Sequence, residues 1–353
     1  MEALVRKPMK ENYAVTIGIP VYKSLCYIED TMNSALAQTF HDIEFLIVDD
    51  CGDDGTIDII KLFQISHPRG KDIRIIHKDT NKGVGYSRNR IIDEAKGNYL
   101  YFMDSDDTIE ANTIHLLYQA VCSNSAQIAY GSYEIIDCVN DNSIHIYQKN
   151  SLVLSGENEL ALYAFKNNRI FHVSVCNHLI NLAFLRQTGV RFTDVSYWED
   201  MIYTTELVTK VTESVMIPEV TYHYFRRPGS LSNYQVRDKL DKQEIIENIS
   251  VINCLKEMSK NMLGKPYLPY LCYNLEMNSF YAVCQIMRKY KMVVPQISVS
   301  EMRAMLYHPI SIFDVLRFKY KRFANFAFWV VGNLPISLFV PFIWMLGKIK
   351  RAI

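Results

Sequence analysis

Over its first 110 residues the chain alternates short apolar runs with stretches in which apolar positions recur three and four apart, the pattern of strands interleaved with helices. Residues 15–20 read as a strand, and from Ser24 the positions Ile28, Thr31, Met32, Ala35 and Leu36 fall at helical spacing. Residues 43–48 read as a second, buried strand ending at Asp49 and Asp50. A glycine turn at 52–55 then leads into a helix over 56–66. Residues 73–77 give a third strand and residues 86–96 a third helix, with Gly97 expected as its left-handed C-terminal residue. A fourth strand, Tyr99-Leu100-Tyr101-Phe102-Met103, stops abruptly at Asp104, Asp106 and Asp107. This order predicts an α/β domain with a mostly parallel central sheet flanked by helices. Ligands of such sheets sit beyond the carboxyl ends of the strands. Pro20, Asp49, Asp50 and residues 104–107 all occupy such ends and are expected to converge on one crevice.

Residues 129–136 read as a further strand, a helix from Glu199 carries Met201, Ile202, Leu207 and Val208, and residues 215–217 and 220–225 read as two short strands. From about Arg237 the pattern is helical, notably over 240–262 and 267–288. The expected division is a catalytic-type domain over 1–234 and a helical C-terminal region over 235–353. Within the latter, residues 323–347 carry no charge, while Lys319, Lys321 and Arg322 precede them and Lys348, Lys350 and Arg351 follow. At about 1.5 Å per residue such a run is long enough to cross a bilayer as one helix. Asn333, Pro335 and Pro341 interrupt it, and its Trp and Phe residues with basic flanks equally suit a segment lying among lipid headgroups. The expectation is a membrane-associated extension at the inner face of the cell membrane, with a buried core helix or an oligomer contact as the alternative.

Composition narrows the classes. A 49% hydrophobic content with 23 Tyr and 17 Phe describes a folded chain rather than a disordered one. Lys plus Arg equals Asp plus Glu at 38 each, so nothing in the overall charge points to nucleic acid. The eight cysteines form no Cys-x-x-Cys pair and are expected to be free, buried thiols. The first twelve residues lack the apolar stretch of a secretory signal, and a reducing cytoplasm fits both observations.

Three carboxylates within four positions repel one another unless a cation or a row of donors offsets them. Oxygen ligands of this kind suit Mg2+ or Mn2+, which complete their shells with water and substrate phosphates, so a nucleotide diphosphate is the natural third party. Gly83 and Gly85 supply half of a dinucleotide fingerprint, but Arg88 stands where its third glycine belongs, and no P-loop occurs. What remains is a glycine loop entering a helix whose first turn carries Ser87, Arg88 and Asn89, groups able to hold phosphate or ribose.

Taken together, Ile19-Pro20-Val21-Tyr22, Val48-Asp49-Asp50, Gly55-Thr56, Asn81-Lys82-Gly83, Ser87-Arg88-Asn89 and Asp104-Ser105-Asp106-Asp107 stand in an order and spacing that resembles the family 2 glycosyltransferases. The resemblance covers residues 14–232 and implies the GT-A fold and a nucleotide-sugar donor. It implies that Pro20 and Tyr22 line the nucleoside pocket and that Asp49 or Asp50 accepts a base or ribose hydrogen bond. Asp104, beside Ser105, would contact the ribose side, and Asp106 with Asp104 would hold the metal. One departure is Cys51-Gly52-Asp53-Asp54, where the family more usually has Gly-Ser-x-Asp. Trp198-Glu199-Asp200 resembles the family's acidic pair near the acceptor, with Asp200 as the base that an acceptor hydroxyl needs. The stretch from Tyr222 through Arg226 and Arg227 to Ser230 resembles a closing loop whose basic and hydroxyl groups approach the diphosphate.

The resemblance implies an inverting transfer of a hexose-type sugar to an acceptor hydroxyl, with a UDP-sugar ahead of GDP- and TDP-sugars as donor. The basic-flanked, aromatic tail at 323–347 points to a lipid-linked or growing glycan as acceptor, in surface polysaccharide synthesis. An oligomer is left open. Two rivals are a sugar-nucleotidyltransferase, which needs a glycine-rich triphosphate loop where Ile19-Pro20-Val21-Tyr22-Lys23 has no glycine, and a non-catalytic nucleotide-sugar-binding scaffold in a membrane complex.

Overall fold

The computed structural model describes residues 10–139, 143–167, 175–195, 198–227 and 240–349. These gather into two compact units, one drawn from residues 1–160, 174–194 and 210–230, the other from 161–173, 195–209 and 231–353.

In the first unit β1 (Tyr13–Val21), α1 (Ile28–Leu36), β2 (Ile43–Asp49), α2 (Thr56–Ser66), β3 (Ile73–His77), α3 (Val84–Glu94) and β4 (Gly97–Phe102) alternate as the periodicity requires. The strands lie in the order β3-β2-β1-β4, all parallel. Every residue of β2 is buried, as expected of a strand covered on both faces. That burial includes Glu44, which breaks the apolar run. Its carboxylate accepts from the Thr16 hydroxyl at 2.7 Å, from the Lys96 backbone N–H at 2.8 Å and from the Arg74 guanidinium at 2.9 Å.

Gly97 corrects the sequence expectation. It is the first residue of β4, not a left-handed helix end, and a Cβ there would stand 2.4 Å from the Thr16 nitrogen. Close approach of two strands, not a helix cap, requires the glycine.

The chain continues through β5 (Thr108–Ile109), α4 (Thr113–Ser123), β6 (Ile128–Asp137), β7 (Ile144–Tyr147), β8 (Leu152–Ser155), α5 (Glu159–Lys166), β9 (His178–Asn181), α6 (Leu182–Thr188), α7 (Glu199–Val208) and β10 (Glu213–Arg226). The sheet extends β4-β9-β6-β10-β5, with β6 and β10 parallel and the other added pairs antiparallel, and β7 and β8 attached to β6 and β10. The two short strands expected around 215–225 are one strand, β10, whose pairing with β6 shifts register around Val220. Pro218 offers no N–H to a ladder, so the sequence shows a break where the fold has a bulge.

The second unit contains α7, then β11 (Leu240–Asp241), α8 (Lys242–Ser259), α9 (Leu268–Arg288), β12 (Val293–Val294), α10 (Val299–Met305), α11 (Ile312–Leu316), α12 (Arg322–Gly332) and α13 (Ile336–Ile349). The uncharged run is therefore two helices of 11 and 14 residues, broken at 333–335. At 1.5 Å per residue they reach about 17 and 21 Å, short of the roughly 30 Å hydrocarbon core. No helix among the described residues is long and apolar enough to cross a membrane.

All eight cysteines are free. Burial was expected of all of them and holds for Cys176, Cys272 and Cys284, whereas Cys26, Cys122, Cys138 and Cys254 are exposed. A small thiol lends little apolar surface to the helix and loop faces where those four fall.

Candidate active site

The parallel register brings the carboxyl ends of the strands side by side. Val21 lies beside Asp49, and Asp49 beside His77. Pro20 is buried in β1 beside Val48, and Tyr22, just past the strand, is exposed. The Asp50 N–H donates to the Val21 carbonyl at 2.9 Å, and the Met103 N–H donates to the Gly18 carbonyl at 3.1 Å, which seats the turn after β4 against β1. Ser24 and Ser105 join the loops after β1 and β4 through their hydroxyls, 2.6 Å apart.

Asp49 and Asp50 are both buried but are held differently. Asp49 accepts from the Gly52 N–H at 3.1 Å and faces His77 Nδ1 at 3.0 Å. Asp50 pairs with Lys78 and accepts from the Lys82 N–H at 2.9 Å. Lys78 also reaches the buried Ser87 hydroxyl at 3.3 Å and lies over the Tyr86 ring at 4.5 Å. Gly83 opens α3 at φ 84°, a conformation other L-residues rarely adopt, and its carbonyl accepts from the Ser87 hydroxyl.

Cys51 explains the departure from the usual motif. Its φ is 61°, the left-handed region in which glycine is comfortable, and its thiol donates to the Lys78 carbonyl at 2.7 Å. The hydrogen bond offsets part of the strain of placing a β-carbon there.

The acidic turn separates into three different carboxylates. Asp107 points inward: it is fully buried, accepts from the Tyr222 hydroxyl at 2.7 Å and from the Phe225 N–H at 2.9 Å, and burial with Asp106 and Asp104 nearby pushes its carboxyl well up. Asp104 receives the buried Arg88 guanidinium on Oδ1 at 2.8 Å. Asp106 is open to solvent on one side, with its side chain 43% exposed and Arg227 3.3 Å from Oδ2. Burial of the carboxyl against the turn, reinforced by Asp104 and opposed by Arg227, raises it to about 6. Two mutually repelling carboxylates at a rim, each already met by one guanidinium, form an oxygen donor set of the kind a hard divalent cation takes. Among the described residues no three His, Cys, Asp or Glu side chains close on one point, so a cation there would need substrate oxygens to complete its shell.

Of the two expected arginines, Arg226 pairs with Asp137 at 3.4 Å, and Arg227 is the one at the acidic turn, packed over Tyr27 at 4.0 Å and Phe225 at 4.7 Å. Ser230 lies outside the described residues. Glu199 and Asp200 open α7 in the second unit, Glu199 buried and Asp200 half-buried. The residue before them, Trp198, holds φ 61°. A bulky residue kept in the left-handed region is a conformation that recurs at functional sites.

Residues 16–189 match the sequence profile described as Glycosyl transferase family 2. The chain carries a family 2 glycosyltransferase domain. Its curated relatives include the glycosyltransferase GlyG of Streptococcus pneumoniae serotype 4, 30% identical over 133 residues, which are 38% of this chain and 43% of that protein. They also include the putative teichuronic acid biosynthesis glycosyltransferase TuaG of Bacillus subtilis, 31% identical over 122 residues, 35% of this chain and 47% of that one. The chain thus spans less than half the length of these two relatives. In fold it is similar to S. aureus TarS 1–349, solved in complex with UDP-GlcNAc, with a TM-score of 0.63, 16% identity and 90% of each chain covered. The parallel half-sheet and its extension through β9, β6 and β10 are the GT-A architecture expected from the sequence motifs, and the helical C-terminal region expected from the pattern after residue 237 is present as well.

Sequence reasoning about this family domain missed Lys78, His77 and Ser24. Lys78 and His77 stand at the carboxyl end of β3, and the rule that singled out Asp49 and Asp104 would have found them. Ser24 gave no such signal, because only the tertiary fold sets it against Ser105.

Proposed function

We propose that this chain transfers one sugar from a nucleotide-diphospho-sugar, with UDP as the nucleotide, to an acceptor hydroxyl with inversion at the anomeric carbon. The observation that carries this reading is the rim at the carboxyl ends of β1, β2, β3 and β4. There the Asp50–Lys78–Ser87 set, the Arg88–Asp104 pair and the Arg227–Asp106 pair gather from the loops after β2, β3 and β4, the first turns of α3 and the residue after β10. Tyr22 offers a ring to the base, and Asp49 and Asp50 offer carboxylates to base or ribose. Gly83 leaves the start of α3 open to the donor. Asp106 and Asp104 would hold Mn2+ or Mg2+, which supplies electrophilic help to the departing diphosphate. Arg227 faces the same charge from the protein side, and such preorganised cations stabilise charge as it develops. Asp200 takes the proton of the acceptor hydroxyl, with Glu199 beside it. One base and one leaving group suffice for a single displacement, which inverts the anomeric centre, as in glycosidases that use a carboxylate base. The complex of TarS with UDP-GlcNAc supports the nucleotide, and the name of TuaG supports a surface polysaccharide as the setting.

The acceptor in this reading is lipid-linked or a growing glycan at the inner face of the membrane. The supporting surface lies around α11 and the start of α12. Phe313 and Phe323 are 73% and 85% exposed, Leu316 and Tyr320 are exposed between them, and Arg317, Lys319, Lys321 and Arg322 are interleaved. Aromatic and basic side chains so mixed suit an anionic headgroup layer.

A thermal-shift screen of UDP-, GDP- and TDP-sugars with Mn2+ tests the donor assignment. A ligand at about 100 times its Kd adds roughly 2.7 kcal/mol. The UDP-sugar shift is expected to vanish in Asp106→Ala and to persist in Asp200→Ala, which loses transfer alone. Equal loss of binding in both variants contradicts the assigned roles. Absence of nucleotide release from every donor, with acceptor extracts present, favours a binding scaffold.

A further inference from the structure

The acidic turn after β4 is entered against β1, where the Met103 N–H meets the Gly18 carbonyl, and is left along β10, where Thr108 and Ile109 lie beside His223 and Tyr222. Within it the Asp107 N–H donates to the Asp104 carbonyl at 3.4 Å. Tyr222 reaches both of those residues. It is buried, at a place where phenylalanine would remove as much apolar surface from water, so the hydroxyl is what tyrosine adds. That hydroxyl donates its one proton to Asp107 Oδ2 at 2.7 Å and accepts from the Asp104 N–H at 3.3 Å. The other Asp107 oxygen accepts from the Phe225 N–H at 2.9 Å, further along β10. Just past that strand Arg227 stands 3.3 Å from Asp106 Oδ2.

One hydrogen-bonded path thus runs from the first residue of the turn through Tyr222 to the last and returns to β10, the strand that leads to Arg227. Asp104 and Asp106 carry their carboxylates on the span so held. A small divalent cation tolerates little error in the placement of its oxygens. Groups that hold metal ligands from behind cost about 10–100-fold in metal affinity when removed. A hydroxyl that served the core alone would change stability without changing how the folded protein meets a cation.

We infer that Tyr222 is a positioning residue: its hydroxyl, bonded to the first and last residues of the acidic turn, fixes Asp104 and Asp106 in the arrangement that a divalent cation and the donor diphosphate require. It touches neither of them. The inference rests on the reading of Asp104 and Asp106 as ligands of that cation.

The test is calorimetric titration of the full chain with UDP, once in Mn2+ and once in EDTA, and the ratio of the two affinities reads what the cation contributes. Tyr222→Phe is expected to lower that ratio about tenfold or more while its affinity for UDP in EDTA stays within about threefold of the parent's. The Thr31 hydroxyl on the Asp107 carbonyl at 2.9 Å and the Ser24–Ser105 contact remain in that variant to keep the turn folded. If it does not fold, Tyr222→Met, which also lacks the hydroxyl, takes its place with the same expectation. The control is Tyr13→Phe, which removes a hydroxyl bond to Asp72 at 3.2 Å elsewhere in the same unit and should keep the parent's ratio. A ratio unchanged in the Tyr222 variant, or lowered as much in Tyr13→Phe, overturns this inference alone. A parent that binds UDP no better in Mn2+ than in EDTA overturns it together with the metal assignment of the proposed function. A parent that binds UDP in neither overturns the nucleotide assignment as well.

Discussion

Asp106 and Asp107 are adjacent, chemically identical and opposite in setting. Asp107 is a core group whose two oxygens serve a tyrosine hydroxyl and a backbone N–H. Asp107→Ala should therefore cost about 2–3 kcal/mol in a urea melt, whereas Asp107→Asn, which keeps an acceptor for the Phe225 N–H, should stay within about 1 kcal/mol of the parent. Asp106 contributes one part of the pH dependence. Its folded value near 6 exceeds the ordinary 3.8, so the group contributes stability in acid that is lost as pH rises between those values. Above that window its negative charge is available to a cation. The Mn2+-induced rise in Tm should be larger at about pH 7.5 than at about pH 5.5, and Asp106→Asn should flatten the difference, as calorimetry at the two values would show.

Elements are locked by buried polar groups as well as by apolar contact. Lys256 on α8, fully buried, pairs with the fully buried Glu276 on α9 at 2.9 Å and donates to the Met305 and Tyr307 carbonyls at 3.0 and 2.9 Å. One ammonium thus ties two long helices to the end of α10, and burial raises the Glu276 carboxyl to about 7. Lys256→Met leaves a carboxyl and two carbonyls unpaired in the core and should destabilise the protein by about 3–5 kcal/mol, read as a lowered denaturation midpoint. Such groups mark what element-level pattern reading loses. The limits of α2 and β3 follow directly from periodicity and their turns, but how the buried strand over 43–48 accommodates the charge of Glu44 is clear only once Thr16, Arg74 and the Lys96 N–H are placed around it. Gly97 reads as a helix end for the same reason, since its constraint comes from β1 on the neighbouring strand.

For the molecule as a whole, the fold divides the segment expected at the membrane. Residues 323–347 suggest a single segment by their lack of charge, yet the fold breaks them into α12 and α13 and buries Asn325, Val331, Phe339 and Ile343. Exposed aromatic and basic side chains are interleaved from Phe313 up to the first residue of that segment, Phe323. Co-sedimentation with anionic vesicles should weaken about tenfold or more in Lys319→Glu/Lys321→Glu, at about 1 kcal/mol per basic residue, and should fall further with salt. Phe313→Ser/Phe323→Ser should weaken binding with less dependence on salt.

The sequence by itself determined the order of strands and helices in the first hundred residues, the parallel half-sheet and the placement of Pro20, Asp49, Asp50 and Asp104 at strand ends. Hydrophobic periodicity and turn residues are local properties, and a strand end is a position along the chain. Only the tertiary structure decided that Asp107 faces inward while Asp106 faces out, that Arg227 stands at the acidic turn while Arg226 pairs with Asp137, and that Lys78 partners Asp50. Those outcomes depend on which residues, often more than a hundred positions apart, are packed against a given carboxylate, and burial and pairing set its charge and use.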